Sequence, residues 1–341
     1  MNEAKLHEFM GKVVTDMGGA WMMAMVLIGD ELGLYKAMGD GKATTAEALA
    51  ERCSCHPRLV REWLDANAAS GYLEVADGAY RLPPEQAMAL ANQDSPVFVA
   101  PGQSVVASCF MDLDKVLQAF RGNGAFPWGA HHHRMFHGVE QFFRPGYQAN
   151  LTTAWLPALD GVVDKLKRGA KVADVGCGHG ASTIVMAKAY PNSRFVGIDF
   201  HKPSVEIAGR RAADAGVGGR VSFITAAAQT YTERDFDLIC FFDCLHDMGD
   251  PVGAARHARQ ALKDDGTVLL VSHSRATVSP RTRRRSGACT TRRPPWSARR
   301  TPCRRKLVSG SAHRPAKCGS RRYSRRPASQ GFGGRRRRPS T

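Results

Sequence analysis

Three glycines spaced two apart, and two acids that bracket them, are the residues of this 341-residue chain best placed to do chemistry. They lie in Lys171-Val-Ala-Asp-Val-Gly-Cys-Gly-His-Gly180 and Arg194-Phe-Val-Gly-Ile-Asp199. Val172 to Val175 reads as a buried strand. Gly176, Gly178 and Gly180 let the backbone turn tightly and approach a ligand without Cβ clashes. Ala181 to Ala189 reads as a helix whose first N–H groups face that ligand. Asp199 ends the next strand, with Phe200 after it, at the spacing where a carboxylate grips ribose hydroxyls. The pattern is that of a nucleoside-cofactor site.

Two cofactors compete for it. Gly176, Gly178 and Ala181 satisfy the dinucleotide pattern G-x-G-x-x-A, a weak signal by itself. Asp174 stands two residues before the first glycine, and an acid entering the loop repels a pyrophosphate. The same acid suits a cofactor carrying an ammonium and a sulfonium. Asp174, Gly176, Gly178 and Gly180 together resemble motif I, D-x-G-x-G-x-G, of the class I S-adenosylmethionine (SAM)-dependent methyltransferases.

That resemblance runs closely over about 170 to 273. Phe236 to Phe242 is an apolar run of strand length. It leads into Asp243-Cys-Leu-His-Asp-Met-Gly-Asp-Pro251, at the carboxyl end where open α/β sheets bind ligands. The segment looks like the L-H-D-W-x-D stretch of small-molecule O-methyltransferases, which implies His246 as general base and Asp247 as the acid after it. Asp243 is placed with the cofactor groups. The chain departs from the family after the strand Val221 to Thr225: Ala227 stands where an adenine-binding acid is expected. Gln229 or backbone groups are left to take that place. The resemblance implies SAM as cofactor and no metal.

The elements that must position these residues are strands alternating with helices, hence an α/β, doubly wound, Rossmann-like sheet. Arg256 to Leu262 reads as a helix, Asp264-Asp-Gly266 as a turn and Thr267 to Ser272 as a fifth strand. In the front half, Trp21 to Leu34 is apolar almost all round, as a buried or dimer-forming helix is. Thr44-Thr-Ala-Glu47 reads as a capping box with Thr44 as N-cap. A second helix begins at Pro57 and carries Leu59, Val60, Trp63, Leu64 and Ala68. Asp77-Gly78 between two short strands signals a hairpin, so the order is that of a winged helix. Its second helix offers Arg58 and Arg61 but also Glu62 and Asp65, not a basic face. Residues 98–150 hold Phe126, Trp128, Phe136, Phe143 and Tyr147, a density that fits a roof over an apolar site and equally fits helix packing. His131-His-His133 reads as solvated or rim-lining, since three consecutive side chains do not converge on one ion. Trp155 to Leu166 reads as an amphipathic helix.

Charge divides the chain. Its formal net charge is +17, but residues 274–341 hold 20 Arg, 2 Lys and no acid, which leaves 26 basic and 31 acidic residues, a net of −5, in 1–273. The last 68 residues lack the apolar content for a core. A nucleic-acid-binding arm, a solvated extension and a shifted reading frame all yield such a tail. The resemblance favours the frameshift, because the family's sheet has seven strands and the composition changes after the fifth. The nine cysteines show no disulfide or zinc spacing and read as reduced thiols of a cytoplasmic protein. No secretory signal opens the chain, and the apolar run Ala20 to Ile28 is too short to span a bilayer.

These readings give a mainly α winged-helix domain over 1–95 that forms a homodimer, a helical linker and substrate roof over 96–168, and a methyltransferase domain over 169–273 truncated after its fifth strand. Residues 274–341 are expected to be a disordered tail. The expected reaction is methyl transfer from SAM to a small-molecule hydroxyl, impaired in this chain by the truncation, with nucleic acid a disfavoured partner and no membrane partner. The alternative is a winged-helix transcriptional regulator with a ligand-sensing methyltransferase-like domain.

Overall fold

The computed structural model describes residues 1–122 and 124–272. Its front half runs α1 (Glu3–Glu31), α2 (Leu34–Ala37), α3 (Ala46–Arg52), α4 (Pro57–Ala69), β1 (Glu74–Ala76), β2 (Ala79–Arg81) and α5 (Pro84–Leu90). Thr45, not Thr44, caps α3: its hydroxyl accepts from the Ala48 N–H at 3.3 Å. Thr44 instead exchanges main-chain bonds of 2.9 and 2.8 Å with Tyr80, drawing the hairpin against α3. Proline at the first position of α4 has its φ preset for a helix. Trp63 on α4 is buried, packs edge-on against Tyr35 at 4.8 Å and donates to the Met25 carbonyl at 2.8 Å. The hairpin turns on Asp77 and Gly78, at φ +52° and +75°, as a two-residue type I′ turn requires. Its first strand starts at Glu74 because the Tyr72 N–H is still tied to the Asn67 carbonyl at 2.8 Å.

The first helix differs from expectation. It begins at Glu3 and ends at Glu31, and only Val26 and Gly29 on it are buried. Leu6, Met10, Val14, Met17, Trp21 and Ile28 are exposed. With 3.6 residues per turn these six fall within an arc of about 80°, opposite Lys5, Lys12 and Asp16. Among the described residues, α1 is the one helix long and apolar enough to cross a bilayer by length and composition; the run Ala20 to Ile28 understated it.

Next come α6 (Gly102–Met111), α7 (Leu113–Arg121), α8 (His133–Asn150) and α9 (Val162–Arg168). The single helix expected over Trp155 to Leu166 is broken. The chain leaves α8 through a π-turn, Leu151–Trp155, and α9 starts only after Gly161 at φ +70°. Pro157 lies in the gap, where its missing N–H and ring stop the helix.

The rear half alternates β3 (Lys171–Val175), α10 (Ala181–Ala189), β4 (Arg194–Asp199), α11 (Lys202–Asp214), β5 (Val221–Thr225), β6 (Phe236–Phe242), α12 (Pro251–Ala261) and β7 (Leu262–Val271). The sheet is parallel with order β5-β4-β3-β6-β7, so the strand order reverses between β3 and β6. Val172 and Leu238 face a cluster with Met186 and Leu166, while Ala173 and Ile239 face another with Ala258. Burial on both faces explains why β3 and β6 read as continuous apolar runs. The last strand corrects the expected turn. Leu262 lies opposite Phe236 and Thr267 opposite Leu238, so Lys263–Gly266 bulges out of one continuous strand. The sheet is the expected doubly wound, Rossmann-like one, with five described strands. The expectation for 274–341 lies outside the described residues.

Candidate functional site

The three loop glycines meet three different needs. Gly176, at φ +76°, gives its N–H to the Ile198 carbonyl at 2.7 Å, and a Cβ there would stand 2.7 Å from the Cys244 sulfur. Gly180, at φ +77°, lies under Phe223, which a Cβ would approach to 2.8 Å. Gly178, at φ +51°, faces open space, with no atom within 4 Å of a Cβ placed there.

Two buried acids fix this loop. Asp174 Oδ2 accepts from the hydroxyls of Ser182 and Thr183 at 2.6 Å each, tying β3 to the first turn of α10. Its Oδ1 is buried and has no partner among the described residues. Burial pushes the Asp174 carboxyl up to about 6, against the pull of the two hydroxyls. Asp199 accepts from the Gly178 N–H through Oδ2 and the His201 N–H through Oδ1, both at 2.9 Å. Burial raises its pKa too, and those backbone bonds oppose the rise. Each carboxylate oxygen has two acceptor sites, so Asp199 keeps capacity for hydroxyl donors. Sequence reasoning missed Ser182 and Thr183, although two adjacent hydroxyls opening a helix after an acid-led glycine loop were there to be read.

The second part of the site follows β6. Asp243 takes a left-handed φ of +51° and gives its N–H to the Val271 carbonyl at 2.7 Å, which turns the chain sharply at the sheet's rim. The next residue, Cys244, donates its thiol to the Val175 carbonyl at 3.1 Å and so docks this turn on the glycine loop. His246 sits in the following short 3-10 turn, exposed at the rim. Its Nδ1 lies 4.0 Å from Asp243 Oδ1 and 3.5 Å from the Ser272 hydroxyl, and its Nε2 lies 3.4 Å from Asp247 Oδ2. The structure thus brings Asp174, the glycine loop, Asp199, Asp243, His246 and Asp247 to the carboxyl ends of β3, β4 and β6. Phe200 is 55% exposed beyond β4. Gln229 lies in the loop after β5, whose Ala226 N–H bonds the Asp199 carbonyl at 3.0 Å. The Gln229 amide donates to the Asp250 carbonyl at 3.0 Å.

Helix α8 covers both parts. Tyr147 packs against Phe242 at 5.5 Å and Trp155 at 6.2 Å. Burial, then the charges of Asp174 and other neighbours, pushes its phenol well above the ordinary range. Further along, Phe136 stacks on His201 at 4.3 Å and His137 meets His179 of the glycine loop edge-on at 5.6 Å. His179 is buried with Nδ1 unpartnered, and that burial, with Arg211 and His137 nearby, brings its pKa down to about 4. Glu140 takes Arg211 of α11 at 2.7 Å and Arg144 at 3.4 Å, close in charge but out of hydrogen-bond alignment. In the histidine triple, His131 pairs with Asp112 at 3.0 Å, and His132 caps α8. Among the described residues no group of His, Cys, Asp and Glu is arranged to hold a metal ion.

A methyltransferase-domain family model matches residues 166–295, and a Rv2258c-like winged helix-turn-helix model matches residues 20–92. The chain is 24% identical over 271 residues to the phenazine O-methyltransferase PhzM of Lysobacter antibioticus, covering 74% of this chain and 75% of that protein. It is 31% identical over 143 residues to phosphoethanolamine N-methyltransferase 1 of Triticum aestivum, covering 41% of this chain. The chain spans only 28% of that wheat enzyme, and less than two thirds of the other curated relatives it first matches. Its fold is that of the mitomycin 7-O-methyltransferase MmcR, with a TM-score of 0.56 at 21% identity over 80% of this chain and 82% of the other. The chain thus carries a methyltransferase domain behind an Rv2258c-like winged helix-turn-helix domain, on a fold shared with a small-molecule O-methyltransferase.

Proposed function

We propose that this chain transfers a methyl group from SAM to a hydroxyl of a small apolar or aromatic acceptor. The observation that carries the reading is the pairing at one sheet rim of an acid-fixed glycine loop with a histidine flanked by two carboxylates. The residues fit the cofactor in three respects. Gly178 leaves open space where a ligand would lie against the backbone. Asp174 presents a buried, unpartnered oxygen of the sign an ammonium needs. Asp199 stands at the tip of β4 with acceptor capacity for ribose hydroxyls. Gln229 and Phe200 flank the adenine end, with Ala227 leaving that end without an acid.

SAM supplies a methyl group already made electrophilic by its sulfonium, so what remains for the protein is positioning and deprotonation. The aromatic wall of Phe143, Tyr147, Trp155 and Phe242 would seat the acceptor. His246 would take its proton, with Asp243 or Asp247 orienting the imidazole. Replacing Asp199 with Ala is expected to weaken SAM binding by roughly 1.5–3 kcal/mol, the range for hydrogen bonds to charged groups. Calorimetry that finds the affinity unchanged, or NAD bound tightly instead, would sink the assignment.

The domains of this reading are 1–95, 96–168 and 169–273, with the front domain joining two copies through α1. Six exposed apolar side chains in one stripe support that partner. Sedimentation at micromolar concentration is expected to give a dimer that Trp21→Asp converts to monomer. A wild-type monomer would remove this part of the reading. The regulator alternative is not favoured, because two of the four charged side chains of α4 are engaged within its own domain and the helix carries acids beside its arginines. Arg61 pairs with Glu47 at 2.6 Å, and the Tyr80 hydroxyl is bonded to Asp65.

A further inference from the structure

We propose that Asp112, at the corner between α6 and α7, is a positioning residue for the cofactor: it seats the turn Trp128–Ala130 against Phe200 and His201, closing the ribose end of the site. This rests on the SAM reading above.

Asp112 is 1% exposed, yet it is a carboxylate. Burying such a charge is costly unless it is paired and hydrogen-bonded. Every partner it has belongs to one small region. Its Oδ1 accepts from Lys115 Nζ at 2.8 Å, and Lys115 Nζ also donates to the Ala130 carbonyl at 2.7 Å. Its Oδ2 accepts from His131 Nδ1 at 3.0 Å and from the His132 N–H at 2.8 Å. Burial raises the Asp112 carboxyl, but Lys115, His132 and His131 together overcome this and hold it at about 2. One ion pair therefore clamps three consecutive residues at the end of the Trp128–Ala130 turn.

The other side of that turn meets the cofactor rim. A Cβ on Gly129 would lie 3.6 Å from His201 Cδ2 and 3.7 Å from Phe200 Cε2. Trp128 packs edge-on against His131 at 5.5 Å and Phe136 at 5.6 Å, and Phe136 stacks on His201. Phe200 and His201 follow Asp199 directly, and the His201 N–H binds the Asp199 carboxylate. The chain of contacts thus runs from Asp112 through the turn to the ribose-binding acid. A clamp at this place acts on how long the ligand stays, since it covers the site without contributing a contact to it.

The test is stopped-flow measurement of SAM association and dissociation on the full chain, with Asp112→Asn, Trp128→Ala and the double variant. Each single variant is expected to raise the dissociation rate about tenfold with little change in association, as loss of a hydrogen-bonded charge pair predicts. The double variant should be no worse than the worse single one, because both act through one seat. His131→Ala, which removes one donor of the three, provides a milder version should Asp112→Asn not fold, and a smaller acceleration in the same direction is expected of it. Additive losses in the double variant, or an unchanged dissociation rate in His131→Ala and Trp128→Ala, would overturn the proposal while SAM binding by the wild type stood. A wild-type chain that holds no SAM would overturn the underlying reading and this with it.

Discussion

The His246→Ala protein is expected to turn over an acceptor about 10²–10⁴-fold more slowly than the wild type, the usual contribution of a positioned general base. Its affinity for SAM should stay nearly intact. The separation follows from position. His246 stands in the turn after β6, with Asp243, Asp247 and Ser272 around its two nitrogens, while the loop that would hold the cofactor is fixed by Asp174 and Asp199 on β3 and β4. Single-turnover rates with SAM saturating, beside a SAM titration, distinguish the two effects. An unchanged rate on a true acceptor would reduce His246 to a packing residue, and methyl transfer would then run on positioning alone.

Gly176→Ala should cost roughly 2–5 kcal/mol of stability, combining left-handed strain of about 1–2 kcal/mol with about 1–3 kcal/mol of overpacking. The overpacking arises because the added methyl would meet the Cys244 sulfur at 2.7 Å, and that thiol is itself bonded to Val175. Neither can retreat without undocking the turn that carries His246. Gly178→Ala carries the strain alone, about 1–2 kcal/mol, since its Cβ meets nothing. Chemical denaturation of both variants checks this, and equal losses at the two positions would refute it.

Much of the site was legible because its signal is local. Asp174, three glycines and Asp199 lie within 26 residues of chain, and the backbone chemistry of a glycine turn does not depend on distant neighbours. The hairpin at Asp77-Gly78 was readable for the same reason. What sequence reasoning missed depends on packing. Thr44 and Thr45 are equivalent as N-caps by type, and only the bridge to Tyr80 decides between them. Asp264-Asp-Gly266 has turn composition but lies within a strand, because β6 supplies a partner on either side of the bulge. Asp112 and the groups it binds are up to 20 residues apart and have no periodic pattern.

The bond between Asp199 and the Gly178 N–H has a thermodynamic consequence. A glycine-rich loop left to itself samples many conformations, and a ligand that had to select one would lose part of its binding free energy to that ordering. Here the carboxylate at the end of β4 already holds the loop's middle amide, and Asp174 holds the helix that follows. The conformational entropy was surrendered when the sheet folded. Ligand capture is thereby separated from loop ordering, and a cofactor-shaped cradle stands ready before any cofactor arrives.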